Sequence, residues 1–578
     1  MTAWLPSWCR GFYYFFPGIY IHGHKPYDPW TKNLLLRGSP QTAVRLPSRR
    51  VSLQACRFGL LLLLLGAGLS VPASANNVSI ENAALVDQDE TNDTIDVEFD
   101  VSWGNAWSDS TNHDAVWVFV KYRTTSAGDW KHATLATAGT NPSGVSRGTK
   151  QSGSAFNNID IVVSADKKGA FIKPSHQTSG TLDFHDVQLR WDYGSDAVTD
   201  AQADNASEPM TVRVFGIEMV NVSEGAYFLG DDTNGTNGEF TWEASQSGTI
   251  LQEDSAIMFE STQGTSNAFY YSSDSGTDDY ATGVIFSVPA SFPKGYKAFY
   301  VMKYEITEGQ WVNFFNTLTS AQKTTRDITA ASGKNSDLTV NRNTISWSTG
   351  DASTTRTDRA CGYLSWMDVA AFADWAALRP MTEFEFEKAG RGPIYPVTGG
   401  YAWGSTTITA AVTISGTEDG TETITTSGAN AHYNNTSLLQ GDTGTGPLRA
   451  GIFATSSTNT RAATGASYYG IMELSGNVWE RAVTVGNSSG LSFSGTHGDG
   501  ILTSTSSFEG NATNLDWPGL DSTNNRGVTG AGGSGLKGGG WSETTVGRLA
   551  ISSRWKAGTT DATRASAYGG RAVRTANS

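Results

Sequence analysis

Apolar and polar residues alternate along three stretches in the first third of the chain. Ile95, Val97, Phe99, Val101 and Trp103 form one, Val116, Val118, Val120 and Tyr122 a second, and Val187, Leu189 and Trp191 a third. A period of two puts every other side chain on one face of a strand. These stretches therefore predict antiparallel strands, each with one buried face, separated by polar, glycine-containing loops. Residues 76–215 are expected to form an antiparallel β-sandwich of immunoglobulin-like type. His113, His132, His176 and His185 are scattered through it without the spacing of metal ligands, and its expected role is scaffold.

Farther on the period changes. In TEGQWVNFFNTL, Trp311, Phe314, Phe315 and Leu318 follow one another at i, i+3, i+4 and i+7, behind Thr307 and Gln310 spaced as a capping box. Ser365 and Asp368 open a second helix that runs through Val369, Phe372 and Trp375. Thr382 and Glu385 open a third, with Gly390 and Gly392 at its stop. Upstream, residues 217–231 read as a strand, a turn at Ser223-Glu224-Gly225 and another strand. Beyond Tyr401 helix signals fade, and residues 405–431 look like a polar, β-rich insertion. Residues 216–578 are thus expected to form a second, irregular α+β domain, making the protein multidomain.

The stretch ahead of residue 76 reads as processing sequence. FGLLLLLLGAGLSVP (58–72) is apolar, preceded by Arg49, Arg50 and Arg57 and followed by Ala73-Ser74-Ala75. That pattern predicts a signal peptide cleaved after Ala75. The run is shorter than the ~20 residues a spanning helix needs, so no integral membrane segment is expected after cleavage. The pair Arg49-Arg50 also resembles a twin-arginine export signal, which leaves the route open. The expected destination is secreted, extracellular or cell-surface.

Charge narrows the partners. Without its first 75 residues the chain carries 33 basic and 55 acidic residues, a net charge of −22. A surface of that sign disfavours nucleic acid and anionic membranes and tolerates divalent cations. Cys9 and Cys56 lie in the leader, so Cys361 stands alone, and neither an intrachain disulfide nor a cysteine-rich zinc site is available.

Several segments, in order, resemble the formylglycine-generating enzyme family, the sulfatase-modifying-factor domain. EMVNVSEGAYFLG and YVMKYEITEGQWVNFFN are similar to its opening strands and first helix. YLSWMDVAAFADWAALRPMTEFEFEKAGRG resembles its second helix and central motif. YAWG, GIMELSGNVWER, GLKGGGW and YGGRAVR match later family motifs. The resemblance covers about 217–574 and implies a variant of the C-type-lectin fold.

It also implies chemistry. Family oxidases use two cysteines in the C-terminal segment to bind copper and convert a substrate cysteine to formylglycine. The corresponding residues here, 538–574, contain no cysteine, and no other residue type replaces a thiolate pair as a Cu(I) site. Relatives that bind non-haem iron use a histidine-rich site with an added helical domain, whereas the matched region holds only His432 and His497. Neither copper nor iron is expected. Family members also bind calcium at the Gly-Asn-Val-Trp-Glu turn. Carried over, the ligands are the Glu473 and Glu480 side chains with the Gly476 and Val478 carbonyls, hard oxygen donors suited to a structural calcium. The alternative is that Glu480 serves backbone hydrogen bonding and Trp479 is core.

The favoured reading is a non-catalytic binding or structural recognition protein. Lectin-fold binding proteins display a receptor face on the same final segment, which here offers Trp541, Ser542, Glu543, Thr544, Thr545, Trp555 and Lys556 to a protein or carbohydrate ligand. The alternatives are an active oxidase or other metal-dependent enzyme of the family, and a self-assembling surface-layer or filament subunit.

Overall fold

The computed structural model describes residues 77–576, apart from 204–209, 232–236, 243–247, 265–267, 274–279, 330–340, 417–419, 436–443, 456 and 459. The expected leader, with its arginine pair and the cleavage position expected after Ala75, lies outside the described residues. The described chain is mostly β-sheet with few helices, and several of its sheets are antiparallel. No helix among the described residues is long and apolar enough to cross a membrane.

The strands needed below are β1 (Ser79–Asp89), β2 (Thr94–Ser108), β3 (Asp114–Arg123), β4 (Ile159–Val163), β5 (Ala170–Pro174), β6 (Thr178–Asp192) and β7 (Thr211–Val222). They continue with β8 (Phe299–Met302), β9 (Arg379–Pro380), β10 (Trp479–Val483), β11 (Ser534–Lys537), β12 (Tyr568–Gly569) and β13 (Ala572–Thr575). One sheet runs β1-β2-β6 with Thr149–Lys150 at its far edge. A nine-stranded sheet runs β9-β13-β8-β7-β3-β5-β4 and ends on short outer strands. The alternating residues predicted for β2 and β6 are buried, and Phe99, Val101, Leu182 and Leu189 share one core with Val116 and Val118 of β3.

β3 departs from the expected pattern: nine of its ten residues are buried. Its second face, with Trp117 and Phe119, packs under a helix from much later in the chain. The Trp117 indole N–H donates to the Ala376 carbonyl at 2.8 Å, and Phe119 meets Trp375 edge-on at 5.0 Å. β7 explains how this arises. Its residues Thr211–Val220 pair with β3, and Met219–Val222 pair with β8 on its other edge. One strand therefore crosses residue 215, where composition divides the chain, and carries the sheet from one region into the other.

The helices form where their caps predict. α1 (Glu308–Phe315), α3 (Trp366–Trp375) and α4 (Glu383–Arg391) each open on a reciprocal capping box, at Thr307/Gln310, Ser365/Asp368 and Thr382/Glu385. α2 (Ser320–Arg326) carries another, at Thr319/Gln322. Satisfying two otherwise orphaned N–H groups at each start is worth about 1 kcal/mol per cap. α4 runs through Gly390 and stops at Gly392, whose φ of 68° suits a residue without Cβ. Between residues 405 and 431, Ile414–Ser415 pairs with Thr423–Ile424 in a small hairpin. Its Ile414 packs with Ala411, Leu448, Ile452 and Phe453.

Candidate functional site

The segment GIMELSGNVWER folds as a tight bend leading into β10. Glu473, Gly476 and Asn477 all take positive φ, at 58°, 112° and 62°. At Gly476 a Cβ would lie 2.7 Å from the His432 carbonyl oxygen, so only glycine fits. Asn477 organises the bend. Its N–H donates to the His432 carbonyl (2.8 Å), its carbonyl accepts from Trp541 N–H (2.6 Å) and its side-chain oxygen accepts from Leu448 N–H (2.9 Å). Its side-chain amide donates to Glu305, which also accepts the Val478 N–H at 3.0 Å.

The two acids flanking the bend sit in different surroundings. Arg571 donates through Nε and Nη2 to both oxygens of Glu480, at 2.6 and 2.7 Å, and both side chains are fully buried. The guanidinium also donates to the Met302 and Met472 carbonyls. Glu473 accepts the Gly451 N–H at 2.8 Å through one oxygen, while the other is buried without a donor. Burial pushes its carboxyl up to about 7, against the pull of Arg571. Burial, with Glu480 and Glu473 as neighbouring charges, also holds the Glu305 carboxyl well above the usual range. Three glutamates thus surround one arginine.

Of the expected calcium ligands, Glu473 keeps one oxygen without a donor, whereas Glu480 does not. Both Glu480 oxygens already accept from a guanidinium, and an ion there would face that positive charge at close range. Among the described residues no group of three or more His, Cys, Asp or Glu side chains is placed to hold a metal ion.

The C-terminal segment meets the same bend from the other side. β11, β10 and β12 form a three-stranded sheet, in which β10 pairs antiparallel with β11 and parallel with β12. Above it Trp479, Trp541, Leu536, Val478 and Tyr568 share a core. Gly540 lies against Trp479, where a Cβ would come within 2.9 Å of the ring. The Lys556 ammonium sits 5.1 Å from both the Trp479 and Tyr568 rings and donates to the Tyr568 hydroxyl at 3.2 Å. Arg481 covers the Tyr568 ring at 4.9 Å and donates to the Asp561 and Thr563 carbonyls.

Of the residues expected on a receptor face, Ser542, Thr544 and Thr545 are exposed and Trp555 and Lys556 are half-buried. Trp541 and Glu543 are buried. Trp541 ties the segment to Asn477, and Glu543 pairs with Arg548, which stacks 4.0 Å from the Trp555 ring centroid. Cys361 is buried in the main core, and burial pushes its thiol well up. Glu305, Arg571 and Tyr568 were not among the expected site residues. Glu305 and Arg571 lie in the motifs YVMKYEITEGQWVNFFN and YGGRAVR, so the motif order itself was the signal available for them.

The family model of the sulfatase-modifying factor enzyme 1-like domain matches residues 268–576, more than half of the chain, and the chain belongs to that family. The match begins downstream of the strand pair at 217–231. No curated protein matches the chain.

Proposed function

We propose that the chain is an exported recognition protein, in which a sulfatase-modifying-factor-like domain serves binding in place of oxidation. One observation carries this reading. Where the oxidases of the family place two cysteines, residues 538–574 hold none, and Lys556 and Tyr568 of that segment instead stack with Trp479 and Arg481. A lysine held between two aromatic rings supplies neither a thiolate pair for Cu(I) nor a route to oxygen activation. Ser542, Thr544 and Thr545, with Trp555 beside them, offer hydroxyls and an aromatic surface to a protein or carbohydrate ligand.

The finer architecture belongs to the same proposal. We take the two sheets that share the Phe99–Val116 core as an immunoglobulin-like sandwich, and the family domain as a C-type-lectin-like variant. Arg571 then holds the Gly-Asn-Val-Trp-Glu bend in the place where relatives use calcium. The reading is tested by incubating the copper-loaded, leader-free protein with a Cys-x-Pro-x-Arg peptide and searching for the formylglycine product by mass spectrometry. No conversion is expected, and conversion above a metal-only control overturns the proposal.

A further inference from the structure

A cavity of about 310 Å³ opens where the end of β2 and the loop to β3 face residues 393 and 468–469 of the family domain. Three of its walls are aromatic: Trp107, Tyr468 and Tyr469. The two tyrosines stand edge to face at 4.9 Å. Backbone without side chains fixes the rings. A Cβ on Gly392 would lie 2.4 Å from the Tyr468 ring, and one on Gly470 would touch Trp107 at 3.8 Å. Both glycines have positive φ, so the platforms rest on positions that resist substitution.

Apart from Lys388 and the Thr111 and Ser223 hydroxyls, the polar side chains of the same cavity offer acceptors. Asn112, 7% exposed, donates its amide to the Asn221 carbonyl, and its side-chain oxygen is buried with no donor. Asp109 uses one carboxylate oxygen to accept from the Thr111 and Asn112 N–H groups, which helps to hold it below the usual carboxylate range. Glu224 projects from the exposed turn after β7. A buried amide oxygen with no partner carries a desolvation cost, and the exposed acceptors that a ligand meets are the Asp109 and Glu224 carboxylates.

Charge then selects among ligands. An anion would face Asp109 and Glu224. The basic group in the lining, Lys388, is already directed to the Gly225 and Tyr296 carbonyls at 3.1 and 3.2 Å. An organic cation would meet that ammonium, and the Tyr468 ring already carries a cation, the Arg461 guanidinium 5.5 Å from its centroid. An apolar ligand would cover the Glu224 carboxylate and the second Asp109 oxygen without offering either a donor. A neutral molecule with hydroxyl donors and flat C–H faces meets these conditions, since its hydroxyls can donate to the Asp109 and Glu224 carboxylates while its C–H faces lie on the rings.

We propose that this cavity is a saccharide-binding site that takes one neutral pyranose unit, either free or at the end of a glycan chain, between Trp107 and the Tyr468–Tyr469 pair. It lies on different elements from the C-terminal face, so either site stands if the other fails.

The test is saturation-transfer NMR and tryptophan fluorescence on the leader-free protein. The probes are methyl glycosides of glucose, galactose, mannose and N-acetylglucosamine, and the disaccharides that end in each. At least one probe is expected to bind. Tyr468→Ala, at a residue 42% exposed, should weaken that binding roughly tenfold and keep a single cooperative melting transition. Glu224→Ala on the exposed turn should weaken it severalfold, which keeps the test valid if Tyr468→Ala folds poorly. Tighter binding of the disaccharide than of its glycoside assigns a glycan terminus, and equal binding assigns the free sugar. The proposal is overturned if no probe binds, if choline or acetate binds in place of the sugars, or if both variants bind like the parent.

Discussion

Arg571 and Glu480 form a two-hydrogen-bond ion pair, 2.6 and 2.7 Å long, with no exposure of either side chain. Such a pair gains little over an apolar pair of the same shape, but losing one member strands a charge in the core. Arg571→Met should destabilise the protein by about 3–5 kcal/mol. The double variant Arg571→Met/Glu480→Leu should recover a large part of that loss. Denaturant unfolding of both variants checks this, and additive losses would mean that the pair matters chiefly through the Met302 and Met472 carbonyl contacts.

The same pair predicts the response to calcium. With both Glu480 oxygens engaged and a guanidinium beside them, millimolar calcium should leave the melting temperature unchanged, and so should chelation by EDTA. A site bound at 100 times its dissociation constant would add about 2.7 kcal/mol to stability, well within detection. Thermal melts with calcium and with EDTA, together with elemental analysis of the purified protein, decide the matter. Stoichiometric calcium that survives dialysis would restore the ligand set Glu473, Gly476, Val478 and Glu480.

The features legible in the sequence are those whose causes are local. The capping boxes at Thr307, Ser365 and Thr382 lie three residues from their partners, and each helix begins where it should. Period-two alternation located β2, β3 and β6. The second buried face of β3 could not be read, because its partner Trp375 lies some 250 residues away and an alternating strand leaves its other face formally open. The bend at Asn477 was legible as a motif, but its partners were not. Glu305 is 172 residues upstream of Asn477, and Arg571 is 91 residues downstream of Glu480. Ordered motifs identify a family without stating which of their side chains touch.

Acid should find the protein's weak point at Asp368. This side chain caps α3, and it accepts from Arg326 (2.8 Å) and from Arg564 through Nε and Nη2 (2.7 and 2.8 Å). Burial alone would raise its pKa, but Arg564 and Arg326, with the Ser365 hydroxyl, hold it well below the ordinary 3.8. The unfolded chain therefore binds the proton more readily than the folded one. The stabilisation is fully present above about pH 4 to 5 and is lost as pH falls toward the folded value. Asp368→Asn should cost about 3–5 kcal/mol at pH 7, and its gap from the parent should narrow steadily below pH 4. A gap independent of pH would sink the assignment.

The course of β7 predicts that the family domain does not stand alone. A chain starting at residue 216 would keep the Met219–Val222 pairing with β8 and lose β3, which pairs with Thr211–Val220. It would also uncover Trp375, which packs against Phe119 and Phe215 at 5.0 and 4.9 Å. The new sheet edge and bared aromatic face are together a template for aggregation. Residues 216–578 should therefore express as an insoluble or loosely packed product, while residues 76–578 give one cooperative transition. Trp117→Ala separates loss of packing from loss of the strand. It removes a fully buried ring and its bond to Ala376, and should cost about 3–5 kcal/mol. It should lower the single transition without splitting it. A soluble 216–578 fragment with the melting temperature of the longer chain would show that the shared sheet is an association of two independent domains.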